Sequence, residues 1–120
     1  MWIYSQSTGK LWSDDGSLVA TGYSGYGEGK NNPEHEGVRN VGPIPRGDWV
    51  ITGVYDSSRV GPRAIRLEPH IHNALGRTYF RIHGDSSRHP GKASKGCMIF
   101  GRAIREAIIA SKDKLLRVIE

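Results

Sequence analysis

The sequence predicts a mainly β domain, a sandwich or partial barrel with one short C-terminal helix. Three observations lead there. Sixteen glycines and six prolines break the chain into short apolar segments, the pattern of many strands joined by tight turns. Several of those segments alternate apolar and polar residues with the period of two that a half-buried strand requires. Only one stretch, Arg102 to about Ser111, carries helical spacing, with Ala103, Ile104, Ala107 and Ile108 at i, i+3 and i+4 intervals. At 120 residues the chain makes one domain spanning 1–120, large enough to bury a single core without staples.

Taken in order, residues 2–7, 10–13 and 17–21 read as a three-stranded meander, turned at Thr8-Gly9 and at Asp14-Asp15-Gly16. Residues 22–37 hold five glycines and Asn31-Asn32-Pro33, a composition that predicts a long loop without regular structure. Loops of that length in a small domain serve a site or are disordered; Tyr23, Tyr26 and Asn31 are candidates for lining a groove. Gly42-Pro43-Ile44-Pro45-Arg46-Gly47 is a stiff extended turn, because each proline fixes φ and biases its predecessor away from helix. It launches a strand over 48–55. Alternation marks a second strand over 63–69 and a third over 77–83, with Phe80 and Ile82 on one face and Tyr79, Arg81 and His83 on the other. Met98-Ile99-Phe100 is a short buried strand, and Lys114–Ile119 alternates as a last one.

Charge and cysteine usage bound the function. The formal charge is +5, which suits an anionic partner. The basic residues are scattered, without the helix-borne cluster or aromatic stacking platform of a nucleic-acid binder, so none is expected. No apolar run has the length of a membrane span, and the start lacks the basic and apolar regions of a signal peptide. The single cysteine excludes an internal disulfide.

That cysteine, Cys97, follows His83 by fourteen residues, a spacing that a strand, a loop and a second strand would close. A thiol is a weak nucleophile until a neighbouring base takes its proton. Cys97 and His83 are therefore candidates for nucleophile and base; a buried structural cysteine beside a solvated histidine is the alternative. Glycines flank both, at Gly84 and Gly96. Ser94 is placed to shape the turn before the nucleophile and Asp85 to hold His83 from the side. Lys95, Arg81 and Arg102 are candidates for gripping a substrate carboxylate.

His83-Gly84, a loop, and Ser94-Lys95-Gly96-Cys97 followed by apolar residues resemble the active-site signature of the L,D-transpeptidases. Gln6-Ser7-Thr8-Gly9, Gly22-Tyr23-Ser24-Gly25, Asn31-Asn32-Pro33 and Gly42-Pro43-Ile44-Pro45-Arg46-Gly47 extend the resemblance to a compact branch of type VI secretion effectors, over about Trp2 to Ile108. Two departures from the housekeeping enzymes are a shorter loop between His83 and Ser94, and Lys95 in place of a second histidine. The resemblance implies an L,D-transpeptidase-like fold and a cofactor-free cysteine enzyme acting on peptidoglycan stem peptides, as L,D-carboxypeptidase or by D-amino-acid exchange. The Gly84 carbonyl would orient His83, backbone N–H groups at Gly96-Cys97 would hold the oxyanion, and Ser94, Lys95, Arg81, Arg102, Tyr23, Asn31 and Asn32 would surround the substrate. It further implies a monomeric antibacterial effector, made in the cytoplasm without a signal peptide. Secretion would carry it into a target cell's periplasm, with a secretion apparatus and an immunity protein as partners.

Two other readings stay open. Glu68, His70 and His72, joined by His83 or His89, have the residue types of a zinc site, which would make a metal-dependent peptidase. A wall-binding module without chemistry is the other.

Overall fold

Nine strands build the molecule into one mixed sheet. The computed structural model describes residues 1–120. In chain order the strands are β1 (Trp2–Ser5), β2 (Lys10–Trp12), β3 (Leu18–Thr21), β4 (Tyr23–Ser24), β5 (Gly47–Ser57), β6 (Gly61–His70), β7 (Arg81–His83), β8 (Met98–Ile99) and β9 (Leu115–Ile119), with helix α1 (Arg102–Ala110) between the last two. They lie side by side as β3-β2-β1-β9-β5-β6-β7-β8-β4. The outermost strands, β3 and β4, are consecutive in the chain with only Gly22 between them. Two residue steps span about 7 Å at most, so the sheet must curl until its edges nearly meet. The Gly22 N–H donates to the Gly9 carbonyl at 2.8 Å. A Cβ on Gly22 would fall 2.0 Å from the Ile99 carbonyl oxygen, so this closure admits only glycine. The result is the mainly β, partly closed barrel that the punctuation and alternation predict.

The core lies on one face of that curled sheet, as strand register shows. Trp2 and Trp49 both pair with Leu116, Tyr4 pairs with Leu11 and Val118, Ile51 with Leu67, Ile65 with Ile82, and Ile82 with Met98. All of these side chains are buried in a single cluster, which Ile108 of α1 also joins. Burial at about 25 cal/mol per Å² makes this face the main source of stability. Tyr4 and Phe100 meet edge to face at 6.0 Å across it.

Several expected elements are displaced. The 22–37 stretch is ordered and includes β4 and two 3₁₀ turns, Gly27–Gly29 and Pro33–His35; the cap from the Asn32 side chain to the Glu34 N–H sets the second. The strand expected over 77–83 forms only at Arg81–His83. Tyr79 adopts a left-handed φ of 65°, and Arg77 is drawn out of register by carbonyl partners described below. β6 runs through Pro69 to His70 because it pairs with β7 only at Ile65 and Arg66; past Leu67 it is an edge, where proline is tolerated. On α1 the buried face is rotated from the expected one: Ala103 and Ala107 are exposed, while Arg105 and Ile108 are buried. Arg105 earns that place by donating to the carbonyls of Phe100, Pro62 and Arg63 at 2.8–3.0 Å. No helix is long and apolar enough to cross a membrane.

Candidate active site

Parallel pairing of β7 with β8 sets the segments that carry the predicted nucleophile and base side by side. Ile82 pairs with Met98 and His83 with Ile99. Cys97 directly precedes Met98, so it stands beside Arg81, on the face opposite the core residues Ile82 and Met98. His83 shares that face, two residues further along β7. Both side chains are buried, His83 at 3% and Cys97 at 7% exposure.

The imidazole has a fixed tautomer. His83 Nδ1 lies 2.8 Å from the Gly84 carbonyl, which can only accept, so Nδ1 carries the proton and Nε2 is left as the acceptor. Burial pushes the His83 pKa below its ordinary value, helped by the charges of Arg81 and Arg105 and opposed by the Gly84 bond. The ring is therefore neutral at pH 7 and able to accept a proton. Burial pushes the Cys97 thiol up, while Arg81 and then Arg77 oppose that rise. The resting pair is thiol and imidazole, and Sγ donates to the Tyr79 carbonyl at 3.7 Å.

A polar scaffold holds this seam. Ser94 Oγ donates to the Cys97 carbonyl at 2.6 Å and accepts from the N–H groups of Gly25 and Gly96 at 2.8 and 3.1 Å. One hydroxyl thus uses its full hydrogen-bonding capacity to fix the turn into the nucleophile. Ser24 Oγ donates to the Gly96 carbonyl at 2.9 Å. Gly96 has φ 136°, and a Cβ there would fall 2.4 Å from Arg77 Nη2, so glycine is required twice over. The Arg77 guanidinium donates to the carbonyls of Glu36, Pro43, Gly42 and Lys95 at 2.6–3.1 Å. It ties the 36–43 loop to the cysteine loop with no carboxylate among those acceptors, and burial lowers its pKa.

The substrate-side expectations divide. A cavity of about 540 Å³ exposes Cys97 between Arg39, Arg59, Arg77, Arg81 and Lys95. A second of about 560 Å³ lies across the 77–81 segment, against Tyr55, Arg66 and Glu68. Arg81 and Lys95 line the first cavity; His83 lines neither. Ser94, Tyr23, Asn31, Asn32 and Arg102 are engaged elsewhere. Tyr23 Oη donates to Asp85 at 2.6 Å and accepts from the Ala93 N–H at 2.9 Å, and burial and Asp85 push its pKa up to about 12. Asp85 thus braces the 84–93 loop through Tyr23 and the N–H groups of Ser86 and Gly91. Asn31 accepts from the Ser24 N–H, Asn32 caps a turn, and Arg102 pairs with Glu106 on α1. The Gly96 N–H, expected for an oxyanion, is already bound to Ser94. Gln6 joins the end of β1 to the proline turn by donating to the Ile44 carbonyl and to Glu36.

Arg39, Arg59 and Arg77 were missed at the sequence level as cavity residues. Arg39 and Arg59 lie in or beside turns, where no periodicity assigns a face, whereas Arg77 falls on the polar face of the strand expected over 77–83. The zinc constellation does not assemble: no group of three His, Cys, Asp or Glu side chains has ligand geometry. His72 has both ring nitrogens occupied, one at the Asp48 carbonyl and the other accepting from the Ala74 N–H.

Fold and site together define a β-barrel-like domain that presents a cysteine to a cavity lined by cations. The Tlde1 domain family model matches residues 19–119; the chain belongs to this family, which is related to type VI secretion effectors. Neither the search of curated proteins nor that of solved structures found a match.

Proposed function

We propose that the protein is a cysteine acyl-transfer enzyme acting on peptidoglycan stem peptides, as an L,D-carboxypeptidase or by D-amino-acid exchange. One observation carries the reading: Cys97, leading into β8, lines a cavity walled by cations, and the neighbouring strand β7 carries a His83 of fixed tautomer two residues along. In the reaction, the thiol rotates off the Tyr79 carbonyl and its proton passes to His83 Nε2. Sγ then bonds to the carbonyl carbon of the scissile amide, whose electron pair moves to oxygen. Collapse expels the amine, which takes the proton from His83. The thioester is resolved by water, giving hydrolysis, or by a D-amino acid, giving exchange. Arg39, Arg59 and Lys95 suit the free carboxylates of an acidic stem peptide. Family membership supports an effector role in a target cell's periplasm, with an immunity protein and secretion apparatus as partners.

The test is mass spectrometry of peptidoglycan fragments after incubation with wild type and Cys97→Ala, with and without added D-amino acid. Loss or replacement of the terminal D-alanine of tetrapeptide stems is expected with wild type alone. Equal conversion by both proteins would refute the cysteine mechanism. No conversion by either would point to a wall-binding module.

A further inference from the structure

Arg81 stands against the nucleophile itself, not only against the substrate space. Strand register sets it beside Cys97, and the two line the same cavity. Its Nη1 donates to Tyr55 Oη at 3.0 Å, its Nε–H is buried without a well-formed hydrogen bond, and the side chain reaches the Cys97 thiol. A buried charged donor left poorly satisfied is costly and calls for an explanation. Close by, the Gly96 N–H is consumed by Ser94, so this backbone donor is not available to a developing negative charge.

We propose that Arg81 is a catalytic residue whose guanidinium stabilises the Cys97 thiolate and then the oxyanion of the tetrahedral intermediate, held in place by Tyr55. The inference rests on Cys97 being the nucleophile. As Sγ loses its proton to His83 Nε2, negative charge appears beside the buried Nε–H. When the C–S bond forms, the charge moves to the carbonyl oxygen, within the same cavity. A preorganised donor aimed at developing charge is worth far more in a dry site than in water. The same cation opposes charging of His83, but the sulphur is its direct neighbour across the seam and the imidazole is two residues along the strand. The balance therefore favours the thiolate. Arg39, Arg59, Arg77 and Lys95 also face the cavity, so the test must isolate Arg81 from this general positive field.

The measurement is the pH dependence of Cys97 alkylation by iodoacetamide in the folded protein, which needs no peptidoglycan. The midpoint reports the thiol pKa, and the plateau rate reports access. Arg81→Met should raise the midpoint by a unit or more, slowing alkylation at pH 7 about tenfold. Arg81→Lys and Tyr55→Phe should each raise it by less, and Arg102→Met, on the helix and outside both cavities, should leave it unchanged. A folded Arg81→Met with the wild-type midpoint would overturn the proposal. If that variant does not fold, unmoved midpoints in both Arg81→Lys and Tyr55→Phe would overturn it instead. Failure of wild type to process stem peptides would refute the substrate reading yet leave a shifted midpoint standing, so the two failures are distinguishable.

Discussion

The β5–β6 hairpin and the β7–β8 seam are built from opposite materials. The hairpin strands run 11 and 10 residues, and main-chain pairing and apolar burial hold them. The seam strands run 3 and 2 residues, too short to fix their own geometry. Side chains reaching the main chain fix it instead: Arg77, Ser94, Ser24 and Arg105 all bond to carbonyls or amides around it. Burial is non-directional and tolerates small shifts, whereas these bonds are directional and set the sulphur's position. Stability and site geometry are therefore separable, and substitutions in the two regions should fail differently.

The largest stability effect belongs to the hydrophobic side. Leu116→Ala empties a fully buried position on β9 between Trp2 and Trp49 and should cost about 3 kcal/mol. Denaturant titration would read that loss, while turnover per folded molecule stays at the wild-type value. A matching loss of turnover would show that the core and the site are coupled after all. Arg77→Met should cost about 2 kcal/mol, since four carbonyls lose a charged donor, and it should act locally. Cys97 alkylation would gain a faster plateau as the 36–43 loop parts from the cysteine loop. A slower plateau, or none of the stability loss, would break the contrast. Ser94→Ala should cost about 1 kcal/mol and yet reduce kcat more than that loss suggests, because the turn into Cys97 loses all three bonds of the Ser94 hydroxyl.

The same division explains what was legible in the sequence. Period-two alternation is a burial signal, and it located β6 and β9 and the core face of β7, while the proline turn marked the start of β5. Glycine punctuation placed the turns, but the sequence did not reveal that Gly22 joins the two sheet edges, since that depends on a pairing order far from local. Cys97 and His83 stood out because their residue types carry chemistry wherever they lie. Polar scaffold residues have no such signature. Ser94, Tyr23 and Asn31 read as candidate substrate contacts, but each is spent on bonds within the protein. Arg105 is buried although apolar spacing on the helix does not include it, because an apolar count cannot register a guanidinium that finds three carbonyls. Arg39 and Arg59 gave no periodic signal at all.

The smallest effect tests the seam's electrostatics through proton linkage. His83 is held below its ordinary pKa chiefly by burial, so the unfolded chain binds a proton that the folded chain does not. Stability must therefore fall as pH drops below about 6.5, and level off once the folded-state ring also protonates. One such group changes stability by at most about 1.4 kcal/mol per pH unit. Urea titrations at pH 7 and pH 5.5 should show a larger loss for wild type than for His83→Gln, which has no proton to gain. The same depression sets the acid limb of kcat/KM below pH 6.5, where imidazole becomes imidazolium and cannot accept the thiol proton. An acid limb above pH 6.5, with no difference between the proteins in urea, would mean that burial does not control this histidine. The site would then behave like a solvated loop rather than a desolvated seam.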